Sequence, residues 1–83
     1  IDLKVNVYPN PFSNHLYLWH EKESIKHWSL YAANGQLVKQ DQTDLMPGDV
    51  LDITFADLAQ GIYTIQFGNS SNIFTQKIIY IKP

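Results

Sequence analysis

The sequence predicts an all-β fold, an immunoglobulin-like antiparallel β-sandwich of about seven short strands. Apolar side chains recur with a period of two along most of the chain, which is the spacing of residues on one face of a strand. Glycine, proline and asparagine separate these runs at regular intervals, and no segment has the pattern of a long helix. The alternating residues are Val5 and Val7, Leu16 and Leu18, Trp28 and Leu30, Leu51 and Ile53, Tyr63, Ile65 and Phe67, and the run from Ile73 to Ile81.

The first strand ends in a proline-rich elbow, Tyr8-Pro9-Asn10-Pro11. Proline fixes its own φ and disfavours the helical region for the preceding residue, so we expect Tyr8 and Asn10 to be extended. Neither proline can donate a hydrogen bond to a sheet. The elbow is therefore predicted to end one strand and to let the chain cross between two packed sheets.

The second strand alternates cleanly between two faces. If Leu16 and Leu18 point into the core, then His15, Tyr17 and Trp19 share the solvent side. The segment therefore predicts a half-buried strand with an aromatic outer face.

A tight hairpin is predicted at Asn34-Gly35, because this pair accepts the positive φ values that such a turn requires. Residues 36–40 then form the returning strand. We expect the strands near Tyr31 and Leu37 to be antiparallel neighbours.

The connectors in the second half of the chain are of two kinds. Residues 41–49 form the longest polar break and are predicted to be a flexible loop. Residues 55–60 suggest one or two helical turns, with Gly61 as a left-handed exit before the next strand. Residues 68–72 form a glycine- and asparagine-rich turn before the last strand.

The last strand, residues 73–82, becomes apolar on both faces after Lys77. Burial within its own sandwich is one interpretation of that pattern. Alternatively, at a sheet edge its free backbone groups invite strand addition, either from a partner or from a second copy of the isolated domain as an edge-strand homodimer.

Length and charge limit the function classes. The 83 residues suit a single domain, residues 1–83, and the net charge of −2 gives no basic surface for nucleic acid or for direct membrane insertion. No cysteine is present, which excludes disulfides and thiolate chemistry, and no apolar run is long enough to span a bilayer. Ile1 is not an initiator methionine, so we expect a fragment of a longer precursor.

No residue pattern predicts catalysis, a metal site or a cofactor, and we expect a protein that is not an enzyme. No serine lies in a G-x-S-x-G turn. The histidines have no zinc-ligand spacing and are interpreted as surface residues, and the aspartates lack the register of a calcium loop. These groups are His15, His20 and His27, with Glu21 and Glu23 nearby, and Asp41, Asp44, Asp49 and Asp52.

Exposed aromatic side chains leave a second functional class open. Tyr17, Trp19 and Trp28 suit a carbohydrate-binding or adhesive β-sandwich module of an extracellular enzyme, since flat rings stack on sugars or anchor protein partners. The same rings also suit ordinary cross-strand pairing.

Four segments in order resemble a known family, the type A C-terminal sorting domain of the Bacteroidetes type IX secretion (Por secretion) system. The resemblance covers nearly the whole chain. The segments are Val7-Tyr8-Pro9-Asn10-Pro11 with Leu16-Tyr17-Leu18, then Leu30 to Val38 around Asn34-Gly35, then Leu58-Ala59-Gln60-Gly61-Ile62-Tyr63-Thr64-Ile65, and finally Lys77-Ile78-Ile79. Two features depart from the family pattern, the extension Tyr80-Ile81-Lys82-Pro83 and the large Trp28.

The resemblance implies a non-catalytic sorting signal that directs a passenger protein across the outer membrane. The parent would pass through the periplasm and reach the cell surface or the medium. The implied partners are the type IX machinery and a sortase-like protease that removes the tail. The family-motif residues are Tyr8, Pro9, Asn10, Pro11, Asn34, Gly35, Leu58, Gly61 and Tyr63.

The last strand is the candidate recognition element within this interpretation. Its basic-apolar pattern and its expected accessible backbone suggest that the machinery reads it, together with the neighbouring strand through Tyr63. The candidate recognition residues are Lys77, Ile78, Ile79 and Lys82.

Overall fold

The computed structural model describes residues 5–82, which form seven strands and no helix. The expectation about Ile1 lies outside these residues. The strand number and the all-β class confirm the prediction. The strands are β1 (Val5–Tyr8), β2 (His15–His20), β3 (Ile25–Ala32), β4 (Leu37–Leu45), β5 (Leu51–Thr54), β6 (Gly61–Gly68) and β7 (Ile73–Tyr80).

The strands form two antiparallel sheets that enclose one core. One sheet has the order β1-β2-β5 and the other β4-β3-β6-β7. In an immunoglobulin constant domain the first, second, fourth and fifth strands share a sheet, whereas the third, sixth and seventh share the other. Here β4 instead lies beside β3. The protein is therefore an immunoglobulin-like sandwich with its fourth strand in the larger sheet.

The core is built from the inward positions that the period of two predicts. Leu16 and Leu18 of β2 and Leu30 of β3 have no exposed surface. Each such side chain contributes about 1.5–3 kcal/mol by leaving water, so these few positions provide much of the stability of a small domain. The largest fully buried apolar side chains are Phe12, Leu16, Leu18, Ile25, Leu30, Ile65, Phe67 and Ile78.

The predicted hairpin at Asn34-Gly35 is present. Gly35 has a φ of 88°, and its N–H donates to the Ala32 carbonyl oxygen at 2.9 Å. Tyr31 pairs with Leu37 across the two strands, as expected.

The prediction of a flexible loop over residues 41–49 is wrong for its first half. β4 continues to Leu45, and Asp41 pairs with Trp28 of β3. The turn is confined to residues 46–50, where the Asp49 N–H donates to the Met46 carbonyl oxygen at 3.0 Å. The side chains of this edge strand are largely exposed, so they need no apolar alternation. The alternation therefore did not indicate that the strand continues over residues 41–45.

The prediction of helical turns over residues 55–60 is also wrong, because this connector has no helix. Phe55 and Leu58 are both buried, so the connector closes one end of the core. The left-handed residue is Asp57, with a φ of 63°. Gly61 has a φ of 157° and begins β6 opposite Tyr80, so it is not a left-handed helical exit.

The turn between β6 and β7 depends on Gly68 and Asn69. A Cβ atom on Gly68 would lie 2.1 Å from the Asn72 carbonyl oxygen, so no side chain fits there. The buried Asn69 amide donates to Glu23 Oε1 at 3.0 Å and to the Ser24 carbonyl oxygen at 2.8 Å. Its side-chain oxygen accepts the N–H groups of residues 71 and 72 at 2.9 and 3.0 Å. Asn69 thus joins this turn to the loop before β3.

Gly68→Ala should lower the free energy of unfolding by about 2–4 kcal/mol, because the new methyl group meets backbone that cannot move aside. Gly48→Ala is the matched control, since Gly48 also has positive φ but open space around it, and it should cost about 1 kcal/mol. Urea denaturation of both variants measures the difference. Equal losses in the two variants would contradict the steric argument.

The Asn69 hydrogen bond, with a smaller contribution from Asn72, lowers the pKa of Glu23. A carboxyl group whose pKa is lowered in the folded state stabilises the fold above its ordinary pKa, and this contribution disappears as pH falls through the folded-state pKa. Asn69→Ala should raise the Glu23 pKa toward its ordinary value and flatten the acid dependence of stability.

An NMR titration of the Glu23 carboxyl carbon measures this change, with Asn34→Ala as the control. Asn34 lies in the exposed hairpin turn, so its removal should leave the Glu23 pKa unchanged. A Glu23 pKa that stays lowered in Asn69→Ala would show that Asn69 is not the cause.

Candidate recognition surface

The connection from β1 to β2 lies along the outer edge of β7. Phe12 forms a parallel bridge with Tyr80. The Phe12 N–H donates to the Ile79 carbonyl oxygen at 2.9 Å, and the Ile81 N–H donates to the Phe12 carbonyl oxygen at 2.9 Å. We call this connecting segment, residues 9–13, the strap.

Two polar side chains extend the contact between the strap and β7. Asn10 Oδ1 accepts the Ile79 N–H at 3.0 Å, and Asn10 Nδ2 makes a longer contact of 3.4 Å to the Lys77 carbonyl oxygen. At the other end, the Ser13 hydroxyl donates to the Ile81 carbonyl oxygen at 2.9 Å. The strap therefore satisfies β7 backbone groups from Lys77 to Ile81.

Phe12 anchors the strap in the core. Its side chain is only 1% exposed, and its ring centroid lies 5.1 Å from that of Tyr80 and 5.6 Å from that of Phe55. Tyr80 belongs to the four-stranded sheet, whereas Phe55 directly follows β5 of the other sheet. This side chain thus packs against both layers.

The predicted crossing between sheets is only partly correct. The strap does reach β7 of the second sheet. The chain then returns, however, because β2 pairs with β1, with Val7 opposite Leu18 and Tyr8 opposite Tyr17. The elbow is therefore an excursion from one sheet to the edge of the other.

The outer edge of β7 has a closed part and an open part. Successive residues of a strand direct their backbone groups to alternate edges, so the bonds at Ile79 and Ile81 show that odd-numbered residues face outward. The expected accessible backbone is therefore wrong for Ile79 and Ile81, which the strap covers. Among residues 5–82, nothing is bonded to the outward backbone groups of Ile73 and Thr75.

The candidate recognition residues occupy different environments. Lys77 and Lys82 are exposed, and Ile79 is 43% exposed on the outer face of the sheet. Ile78 has no exposed surface, so it anchors the strand in the core and its side chain cannot contact a partner protein directly. Ile62 lies opposite Ile79 and is 50% exposed.

A basic-apolar surface results beside the strap. We call it the outer patch, and it consists of Ile62, Lys77, Ile79 and Ile81. The patch offers apolar contact area next to one positive charge, which suits a protein partner better than a small polar ligand.

The family-motif residues are spread over the molecule and mostly support the fold. Leu58 is buried in the connector, and the buried Tyr63 donates its hydroxyl to the Ala59 carbonyl oxygen at 2.5 Å. Two parts of the motif adjoin the candidate recognition residues: the elbow contacts Lys77 and Ile79 through Asn10, and Tyr63 pairs with Ile78 in the sheet. Tyr8 ends β1, Pro9, Asn10 and Pro11 lie in the strap, Asn34 and Gly35 form the hairpin turn, and Gly61 begins β6.

Sequence reasoning did not assign roles to Phe12, Ser13 or Asn69. A large apolar residue directly after Pro-Asn-Pro is the one local signal for Phe12, because a solvated elbow would not need it. Ser13 has no comparable signal, since its partner lies far away in sequence. The bonds from residues 71 and 72 to Asn69 are typical of an asparagine in a turn, but its contacts with Glu23 and Ser24 are distant in sequence and have no local signal.

The histidines form no metal site. His15 Nδ1 lies 2.9 Å from Asp52 Oδ1 at the surface. His20 is only 2% exposed, so its interpretation as a surface residue is wrong: its Nδ1 accepts the N–H groups of Lys22 and Glu23, and its ring packs against Phe74. Residues 5–82 contain no group of three potential metal ligands.

The aromatic side chains support cross-strand packing. The Tyr17 ring centroid lies 5.3 Å from that of Tyr8 on the neighbouring strand, and Trp19 is half-buried. Trp28 is only 4% exposed, so it provides no platform for a ligand.

The grooves on the described surface are shallow. One of about 370 Å³ lies along β3 and β4 and contains His27, Gln40 and Gln42. Another of about 620 Å³ lies between the β5–β6 connector and the end of β7, and contains Asp57 and Lys82. Ser29 and Asp41 also line the first groove, but no hydrogen bond joins His27 to either of them, so they do not form an activated nucleophile.

Within residues 5–82 no helix is long and apolar enough to cross a membrane.

Comparison with known proteins identifies one family. The model of the secretion system C-terminal sorting domain matches residues 6–82, which includes all seven strands except the first residue of β1. No curated protein and no solved structure gives a significant match. Because the match extends over nearly the whole chain, the chain belongs to the secretion system C-terminal sorting domain family.

Proposed function

We propose that this domain is a non-catalytic signal that the type IX secretion machinery reads to export a passenger protein across the outer membrane. The observation that carries the proposal is the family match over residues 6–82. The grooves of the described surface support it, because they are shallow and no hydrogen bond in them joins a hydroxyl group to a histidine. The domain thus acts as a substrate of the machinery.

The route that we propose has three steps. The parent protein reaches the periplasm, the folded domain engages the machinery, and a sortase-like protease then removes the domain. The passenger ends at the cell surface or outside the cell. This order fits a domain that is recognised through a surface formed by two strands, because such a surface exists only after the domain has folded.

We place the recognised surface at the outer patch and at Lys82. Lys77, Ile79 and Lys82 present their side chains to solvent, whereas the buried Ile78 positions the strand that carries them. Because the strap already covers the backbone of Ile79 and Ile81, side chains are the available contacts here. Recognition through side chains makes the charge of Lys77 and the apolar surface of Ile79 the main determinants.

The transport role predicts that residues 1–83 are sufficient for export. A fusion of signal peptide, fluorescent passenger and residues 1–83 should reach the surface of a type IX-competent bacterium and lose its tail. The same fusion in a strain without the type IX channel is the control and should stay in the periplasm. Periplasmic retention of the folded fusion in the competent strain would contradict the proposal.

If the outer patch is the recognised surface, Lys77→Glu combined with Ile79→Asp should cause a strong export defect. The first substitution reverses the charge of the patch, and the second places a carboxylate in its apolar centre. Lys22→Glu combined with Val50→Asp is the matched control, since both residues are exposed in loops beside His20, which packs against Phe74 at the start of β7 and away from the outer patch. Thermal melts establish that both double variants fold. Normal export of the folded Lys77/Ile79 variant would show that the machinery reads another surface.

A further inference from the structure

The strap forms hydrogen bonds with the outer edge of β7, as a neighbouring strand would. β7 ends its sheet and has only β6 as a strand neighbour. Its outer backbone groups at Ile79 and Ile81 are nevertheless bonded, because Phe12 supplies one N–H and one carbonyl oxygen in a parallel bridge. The covered part of the edge is also the part beside the outer patch.

Asn10 explains how a proline-rich segment can cover a strand edge. Pro9 and Pro11 have no N–H, so the backbone around Asn10 has few donors for a ladder. The asparagine amide carries one acceptor oxygen and one donor nitrogen, as a peptide group does. It accepts the Ile79 N–H at 3.0 Å and approaches the Lys77 carbonyl oxygen at 3.4 Å. The side chain thus replaces a missing peptide group.

Prolines also make the strap a poor template for further pairing. A strand that covers an edge normally presents a new edge of its own, and the sheet remains open to growth. Neither proline can donate to an added strand. The strap therefore ends the sheet as well as extending it.

We infer that the strap is a cover that keeps the edge of β7 from pairing with β7 of a second copy of this chain. This inference is independent of the sorting role. An uncovered edge would present the backbone of Ile79 and Ile81, flanked by apolar side chains on both faces. Such an edge is prone to strand addition.

A second copy fits the uncovered edge because antiparallel pairing of β7 with itself is self-complementary. In the register centred on Ile79, Ile79 lies opposite Ile79 and Lys77 lies opposite Ile81. No like charges then meet across the pair, and the two outer patches become continuous. The pairing is isologous, so it closes as a dimer.

Asn10→Ala tests the cover without disturbing its buried anchor, since Asn10 is exposed and Phe12 is retained. The variant should dimerise at least about tenfold more tightly than the unmodified chain. The strap and a second copy compete for the same edge of β7, and the substitution removes two contacts that hold the strap there. Asn14→Ala is the matched control, as the nearby Asn14 side chain is exposed and has no contact with β7 among the described hydrogen bonds. Analytical ultracentrifugation over a range of concentrations measures the dimerisation.

Amide hydrogen exchange locates the effect within the strand. In dilute Asn10→Ala the Ile79 amide should exchange at least about tenfold faster, because it loses its acceptor. The Ile78 amide faces β6 and should not change. At high concentration the Ile79 amide should become protected again, as the second copy replaces the strap. Asn10→Asp keeps an acceptor oxygen and should preserve the protection.

Two results would overturn the inference. One is a monomeric Asn10→Ala variant in which the Ile79 and Ile81 amides both exchange rapidly, since the edge would then be open without attracting a second copy. The other is unchanged exchange at Ile79, since Asn10 would then not hold the strap. Ser13→Ala, which removes the bond to the Ile81 carbonyl oxygen, gives an independent variant if Asn10→Ala does not fold.

Discussion

The insertion of Phe12 between the two layers is the contact on which the rest of the structure depends. Its ring packs against Tyr80 of one sheet and Phe55 at the end of the other. Its backbone N–H donates to the Ile79 carbonyl oxygen, and its carbonyl oxygen accepts the Ile81 N–H. One residue outside the seven strands thus fixes both the spacing of the layers and the position of the terminal strand. A domain of 83 residues has few such positions, so the loss of one is not easily compensated.

The same contact relates the fold to sorting. A surface that is recognised after folding must be held in one geometry, because binding otherwise includes the cost of ordering it. β7 is held by the ladder to β6 on one side and by the strap on the other. Lys77 and Ile79 therefore project from a strand that is fixed on both edges. Membership of the sorting-domain family and a rigid terminal strand are consistent with one another.

The sequence was most informative where alternation and turn chemistry act locally. It predicted the inward positions of β2, β3 and β6 and the hairpin at Asn34-Gly35, because burial and positive φ select residue types directly. The first half of β4 was predicted as the return of the hairpin, but its continuation over residues 41–45 was missed, since a largely exposed edge strand has no apolar pattern to find. The connector at residues 55–60 was misread because Phe55 and Leu58 are spaced like a helical face yet serve to close the core. The strap was missed because its partners are nearly the whole chain away.

The span of the strap has a consequence for the timing of folding. Asn10 and Ile79 are 69 residues apart, and Ser13 and Ile81 are 68 apart, so the contacts that complete the sandwich join its first loop to its last strand. Closing so long a separation is entropically costly and is left to a late step. During synthesis, β1 to β6 are made before β7. A truncated chain cannot seat Phe12 against Tyr80, so the native sandwich is completed only after translation has passed its final strand.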